Sequence, residues 1–209
     1  MTTARTISVI MPPYVVVRDF LDQADVIELL DYAVAHEANF IPTGVGKATI
    51  NRSVRFSAVL RDLGRFKSLL TDKLVPMLPQ FIDRLRVSQF DFSGLETELV
   101  AHGDGAFYKQ HIDTQTARYD EVKSIRVLSG VYYFNADPKA FTGGSLRLFA
   151  IGAKDQFADI EPVCNSLLVF PSWAPHEVLP VSCPSKRFID SRFAINCWFH
   201  RDRAAAASA

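Results

Sequence analysis

The feature that most restricts the fold is a change of hydrophobic period near Val87. Beyond it, apolar residues recur at every second position in short runs closed by turn residues. Candidate strands cover Glu96–Ala101, Ser124–Asn135, Ser145–Ile151, Ser166–Phe170, His176–Val181 and Arg192–His200. Gly103-Asp104-Gly105, Asn135-Ala136-Asp137-Pro138, Gly143-Gly144 and Pro171-Ser172 punctuate them. A period of two puts alternate side chains on opposite faces, and no helical stretch lies between the runs. Such strands pair antiparallel, as a sandwich or jelly roll.

The first ninety residues read differently. Tyr14-Val15-Val16-Val17 is β-branched and reads as a strand. Asp22 stands where it can cap a helix starting near Gln23, with Val26, Leu29, Leu30, Ala33 and Val34 on one stripe. A second helix is expected over Asp62–Leu74, interrupted by Pro76 and Pro79, with Phe81, Ile82 and Leu85 in a third piece. The expectation is α+β, mainly β: one domain over 1–203, with 1–90 as helical support, 91–201 as the β core and 204–209 as a flexible tail.

The chain of 209 residues is 48% hydrophobic, enough for a sizeable core. Lys+Arg and Asp+Glu both number 23, so charge gives no reason to expect nucleic acid or an anionic membrane as partner. No apolar run reaches the roughly 18 residues of a membrane span, and the start lacks a clear signal peptide. Cys164, Cys183 and Cys197 form no CxxC pair, which suits core thiols in a reducing cytoplasm.

His111-Ile112-Asp113 offers an imidazole and a carboxylate at i and i+2, which share a face in extended chain. His176 opens another candidate strand. Two His and one carboxylate on one face leave octahedral positions open, the facial arrangement of non-haem iron(II) sites. With five His and 23 acidic residues, roughly half a match to HxD or HxE arises by chance, so context has to carry the assignment. His36, His102 and His200 read as structural.

The context is Arg192-Phe193-Ala194-Ile195-Asn196-Cys197-Trp198-Phe199. Phe193, Ile195, Cys197 and Phe199 fill one face; Arg192, Ala194, Asn196 and Trp198 fill the other. An inward Arg needs a partner, and a small dicarboxylate would supply one bidentately. An ordinary ion pair or solvent at the strand end is the alternative. Tyr133 shares the face of Val127, Ser129 and Val131, where it can reach the same carboxylate or serve as a core tyrosine.

Together these residues resemble the prolyl-hydroxylase branch of the 2-oxoglutarate and iron(II)-dependent oxygenases. The likeness runs from about Leu99 to Phe199. Its ordered blocks are Tyr108–Asp113, Val131–Asn135, Gly143–Phe149, Gln156–Pro162, Pro175–Val178 and Arg192–Phe199. The resemblance implies a double-stranded β-helix with buttressing N-terminal helices. It implies iron(II) held by His111, Asp113 and His176, and 2-oxoglutarate held by Arg192 and Tyr133. Dioxygen is the second co-substrate and ascorbate a candidate reductant. Tyr108, Leu146, Val178, Asn196, Trp198 and His102 are candidate pocket-lining residues. Two features depart from the family. His176 and Arg192 are 16 apart, a longer spacing than usual, which makes Arg187 a rival anchor. The segment Ala101–Gly105 lacks a pocket tyrosine, for which His102 can substitute.

The reaction so implied is hydroxylation of an unactivated C–H bond with release of succinate and carbon dioxide. The substrate is a prolyl or other residue in a protein or peptide, or else a free amino acid or small natural product. A non-catalytic, cupin-like binding protein is the reading from another class, and the intact triad with Arg192 argues against it. The segments Phe40–Ser57 and Thr114–Lys123 are candidate covers for substrate, with Asn51 and Arg52 as contacts. Nothing in the sequence fixes an oligomeric state.

Overall fold

The computed structural model describes residues 9–44, 50–114, 123–153 and 155–203. In chain order its strands are β1 (Val15–Arg18), β2 (Ile41–Pro42), β3 (Arg55–Phe56), β4 (Ala58–Leu60), β5 (Phe92–His102), β6 (Phe107–His111) and β7 (Ser124–Phe134). They continue as β8 (Thr142–Gly143), β9 (Leu146–Phe149), β10 (Phe157–Ile160), β11 (Ser166–Pro171), β12 (His176–Val178), β13 (Val181–Ser182) and β14 (Arg192–Asp202). Helix α1 spans Gln23–Ala35 and α2 spans Arg65–Leu85.

The major sheet runs β1-β11-β7-β14-β5-β4-β2 and the minor sheet β10-β9-β12-β6-β3; the named strands pair antiparallel throughout. The two sheets face each other as a double-stranded β-helix. Alternation decides where each side chain goes. Phe193, Ile195, Cys197 and Phe199 of β14 join the larger core with Leu29, Leu70, Leu74 and Phe81 of the helices. Ala194 faces the other way, into a smaller core between the sheets with Val131, Tyr133, Leu146, Leu148 and Leu168.

The structure corrects several expectations. The region before residue 91 is more than helical support, since β1 to β4 all lie in it and join the two sheets. Two-residue strands such as β2 and β3 are too short to show a period. The α2 helix runs unbroken through Pro76 and Pro79. Both prolines are exposed, so the carbonyls they orphan face water. Each proline costs about 3 kcal/mol in a helix interior. Burial of Phe66, Leu70, Leu74, Leu78, Phe81, Ile82 and Leu85, at about 1.5–3 kcal/mol each, outweighs that cost. Asp22 stands at the start of α1 but its side chain makes no capping hydrogen bond. The run expected over His176–Val181 splits into β12 and β13 around Pro180. Cys183 and Cys197 are buried as expected, while Cys164 is exposed; all three are free thiols. Among the described residues, no helix is long and apolar enough to cross a membrane. The tail 204–209 lies outside the described residues.

Candidate metal centre and co-substrate pocket

His111, Asp113 and His176 come together on the inner face of the minor sheet. One ligand atom from each lies within 4.8 Å of the others, and this is the one such cluster among the described residues. His111 closes β6 and is the register partner of His176 at the start of β12. Alternation carries two residues past β6, because the backbone N–H of Asp113 donates to the Ser172 carbonyl at 2.9 Å. Asp113 therefore turns inward, and Ile112 between them is exposed.

Both imidazoles present the same nitrogen. His111 Nδ1 lies 2.8 Å from the Lys109 carbonyl and His176 Nδ1 2.9 Å from the Ala174 carbonyl. A carbonyl only accepts, so each Nδ1 carries the proton and each Nε2 lone pair points into the site. Those Nε2 atoms lie 3.7 and 3.6 Å from the two oxygens of Asp113. Burial pushes His111 down to about 3, with the neighbouring His176 adding to the effect, so the ring stays neutral. Burial alone would raise the Asp113 carboxyl. His176, His111, the Ser129 hydroxyl and Trp198 together hold it below its ordinary value. Ser129 donates to Asp113 Oδ2 at 2.7 Å and is itself linked to Ser172 at 2.8 Å. Two neutral nitrogens and one carboxylate form the donor set that a divalent first-row metal requires.

A second group of buried polar side chains adjoins the same small core, in which Tyr133 is joined by Phe170, whose ring packs on His176. Arg192 is 1% exposed and heads the largest fully buried side chains, and Tyr133 is also 1% exposed. The guanidinium carbon sits 4.8 Å from the Tyr133 ring. His102, opposite Arg192 in the β14–β5 register, lies with its Nδ1 3.2 Å from Arg192 Nη1. Burial holds His102 well below its ordinary value, so it is neutral and accepts. Arg192 Nε and Nη2 and the Tyr133 hydroxyl remain buried without a hydrogen-bond partner. Such orphaned donors are costly unless something occupies the pocket, and three converging donors fit a carboxylate.

The other expected site residues divide. Tyr108 stacks on His111 with centroids 3.6 Å apart, although the two are three residues apart. A register irregularity between β6 and β12 brings them to one face. Leu146 and Val178 are register partners on the inner face of the minor sheet, while Asn196 and Trp198 lie on the inner face of β14. His102 lies against Arg192 through its Nδ1. Arg187 is 69% exposed and makes a bidentate pair with Asp190. Asn51 is exposed and folds its side chain onto Ser53, and exposed Arg52 lies over Phe56. Residues 45–49 and 115–122, the centres of the two expected covering loops, lie outside the described residues. Arg126 escaped the sequence reading. It pairs with Glu96 at 2.7 Å and lies 3.7 Å over the Trp198 ring. Its position seven residues before Tyr133 on a bulged strand gave no simple alternation to follow.

The Gly143-Gly144 turn is required by close approach. A Cβ on Gly144 would meet Arg192 Cδ at 2.6 Å and Val181 Cγ2 at 2.9 Å, at φ +70°. Gly144→Ala is therefore expected to lower stability by about 1–3 kcal/mol and to weaken 2-oxoglutarate binding. Thermal melts and co-substrate titration check this. Wild-type values for both would mean that Arg192 is not held by this contact.

Comparison with known proteins agrees with this geometry. The profile of the 2OG-Fe(II) oxygenase superfamily matches residues 97–200. An uncharacterized PKHD-type hydroxylase of Synechocystis is 31% identical, over 93% of this chain and 65% of that protein. Human Egl nine homolog 1 is 35% identical, over 58% of this chain and 27% of that protein. The chain thus spans less than two thirds of the length of these relatives. Among solved structures, a Pseudomonas putida prolyl-4-hydroxylase superposes with a TM-score of 0.67 at 24% identity, covering 90% of this chain and 93% of that one. A Trichoplax adhaerens prolyl hydroxylase, in complex with a hypoxia-inducible-factor peptide fragment, superposes with a TM-score of 0.65 at 21% identity, covering 90% and 83%. At these identities the superpositions speak for the fold alone.

Proposed function

The chain belongs to the 2OG-Fe(II) oxygenase superfamily, in its prolyl-hydroxylase-like branch, and from that premise we propose that it is a 2-oxoglutarate-dependent dioxygenase. It hydroxylates an unactivated C–H bond of a prolyl or other residue in a peptide, releasing succinate and carbon dioxide. The observation that carries this reading is the orphaned buried donor set of Arg192 and Tyr133 beside the His111–Asp113–His176 cluster. A metal site alone would fit many roles; one adjoining a dry carboxylate anchor fits a 2-oxo dicarboxylic acid. The relatives named as prolyl hydroxylases, one of them holding a peptide, support a peptide as substrate.

In this reading His111, Asp113 and His176 hold iron(II), and Arg192 with Tyr133 takes the distal carboxylate of 2-oxoglutarate. The bound metal, with 2-oxoglutarate and dioxygen, supplies the oxidising chemistry. The chain orients and shields. Ser129 donates to the Asp113 carboxylate and holds it turned inward. Tyr108 and Phe170 pack against the two imidazoles and fix their planes. Trp198 closes the inner face of β14, so that the reacting groups are shielded from bulk water. Ascorbate as reductant belongs to the proposal, as does a cytoplasmic location, which the three free thiols suit.

The test is succinate release from iron(II)-reconstituted protein. Slow turnover is expected with 2-oxoglutarate alone. Prolyl peptides should stimulate it about tenfold or more, equivalent to about 1.4 kcal/mol. Greater stimulation by free amino acids than by any peptide would select the small-molecule alternative. No succinate under any condition would overturn the reading.

A further inference from the structure

One half-buried cation, Arg55, has no role in the chemistry so far described. Arg55 lies on β3, the edge strand of the minor sheet, directly opposite Tyr108 of β6. Its backbone is fixed: the turn from Asn51 bonds to the Arg55 N–H at 3.0 Å, and Lys109 N–H donates to the Val54 carbonyl at 2.9 Å. The guanidinium carbon lies 4.7 Å from the Tyr108 ring, and that ring stacks directly on His111. Arg55 is thus two aromatic layers from the ligand nitrogen of His111.

The guanidinium is only partly served there. Its Nε is fully buried without a hydrogen-bond partner, and no carboxylate comes within ion-pair distance among the described residues. The face of a tyrosine returns only part of what a guanidinium loses on leaving water. The neighbouring acids are already engaged. Glu98, next to Asn196 on the inner face of the major sheet, pairs with Arg61 at 3.5 Å. Glu96 is taken by Arg126 at 2.7 Å and His200 at 3.0 Å. Asp113 belongs to the metal cluster, and Arg192 to the co-substrate pocket. Once these pairs are formed, Arg55 stands without an ion pair among the described residues. Consistent with its setting, burial pushes the Arg55 guanidinium below its ordinary value.

We propose that Arg55 anchors the prime substrate through a substrate carboxylate, and that it selects acidic over neutral substrates. The inference rests on the oxygenase reading but concerns a different ligand from 2-oxoglutarate. The carboxylate can come from an acidic side chain flanking the target residue in a peptide, or from the terminal carboxylate of a free or N-acylated amino acid. A bidentate guanidinium pair would complete Arg55 without displacing Tyr108.

Calorimetric titration of manganese- and 2-oxoglutarate-loaded protein tests the idea without turnover. Two pairs of probes are used: acetylated, amidated peptides Ala-Glu-Pro-Glu-Ala and Ala-Gln-Pro-Gln-Ala, and N-acetylproline with N-acetylprolinamide. In one pair the carboxylate form is expected to bind about tenfold or more tightly than its amide partner. The pair that responds identifies the source of the carboxylate. Arg55→Gln should reduce that ratio to within about twofold, and Arg55→Lys should retain part of it. Equal binding within both pairs, no binding at all, or an unchanged ratio in Arg55→Gln would each overturn the assignment. Substrate-independent succinate release from iron-loaded wild-type protein separates this failure from failure of the oxygenase reading, which would abolish that release.

Discussion

Asp113→Ala is expected to leave a folded chain that no longer holds a divalent metal ion and no longer turns over 2-oxoglutarate. Asp113 supplies the only carboxylate in the cluster, beside His111, which burial keeps neutral, and His176, whose Nδ1–H faces the Ala174 carbonyl. Without it a divalent ion would face two neutral nitrogens in a poorly hydrated site. Loss of an outer hydrogen-bond partner of a metal ligand typically costs about 10–100-fold in affinity, and loss of the one anionic ligand should exceed about 100-fold. The fold should tolerate the change. Ser129 and Ser172 remain bonded to each other when the carboxylate is gone. The backbone bond from residue 113 to Ser172 does not depend on the side chain. Manganese(II) titration followed by electron paramagnetic resonance reads the affinity directly, and a thermal melt of the metal-free protein confirms folding. Full turnover in Asp113→Ala would sink the triad assignment.

How much of this was legible in the sequence follows from the range of each interaction. The period-two runs gave β5, β7, β11 and β14 their faces, because alternation is local and the side of each strand packed on the helices had to stay apolar. His111, Asp113 and Arg192 could be placed on inner faces for the same reason. What could not be read is what depends on pairing register. Tyr108 and His111 share a face only because β6 and β12 slip between Val178 and His176. His102 supports Arg192 only because β5 and β14 align those two residues. Arg55 was passed over in favour of Asn51 and Arg52, since β3 is two residues long and carries no pattern. The α2 helix was cut at two prolines because proline's local cost is visible in sequence, while the seven buried residues that offset it depend on the sheet behind them.

Arg192→Ala is expected to raise the 2-oxoglutarate requirement steeply while leaving metal affinity close to wild type. Truncating one partner of a buried, hydrogen-bonded charge pair costs about 2–5 kcal/mol, or about 30-fold to a few thousand-fold in binding. The high end is favoured here, because His102 is neutral and Tyr133 uncharged, so no second cation would replace the lost one. Two controls separate binding from folding. Arg192→Met fills the space with an apolar chain, and a buried guanidinium with orphaned donors is a liability when its ligand is absent. Co-substrate-free Arg192→Met should therefore melt at or above the wild-type temperature and still fail to bind 2-oxoglutarate. Arg187→Ala should change 2-oxoglutarate binding little. Its guanidinium is in solvent, bound to Asp190, and Asp190 keeps the Ser185 hydroxyl when Arg187 is removed. The sixteen-residue gap between His176 and Arg192 is then a detour through β13 and a short 3-10 turn at Phe188–Asp190. It returns the chain to β14 with Arg192 as its first residue. If Arg187→Ala were instead the change that abolished co-substrate binding, the register of β14 against β5 and β7 would have to be wrong by several residues. The core formed by Phe193, Ile195, Cys197 and Phe199 would have to be wrong with it.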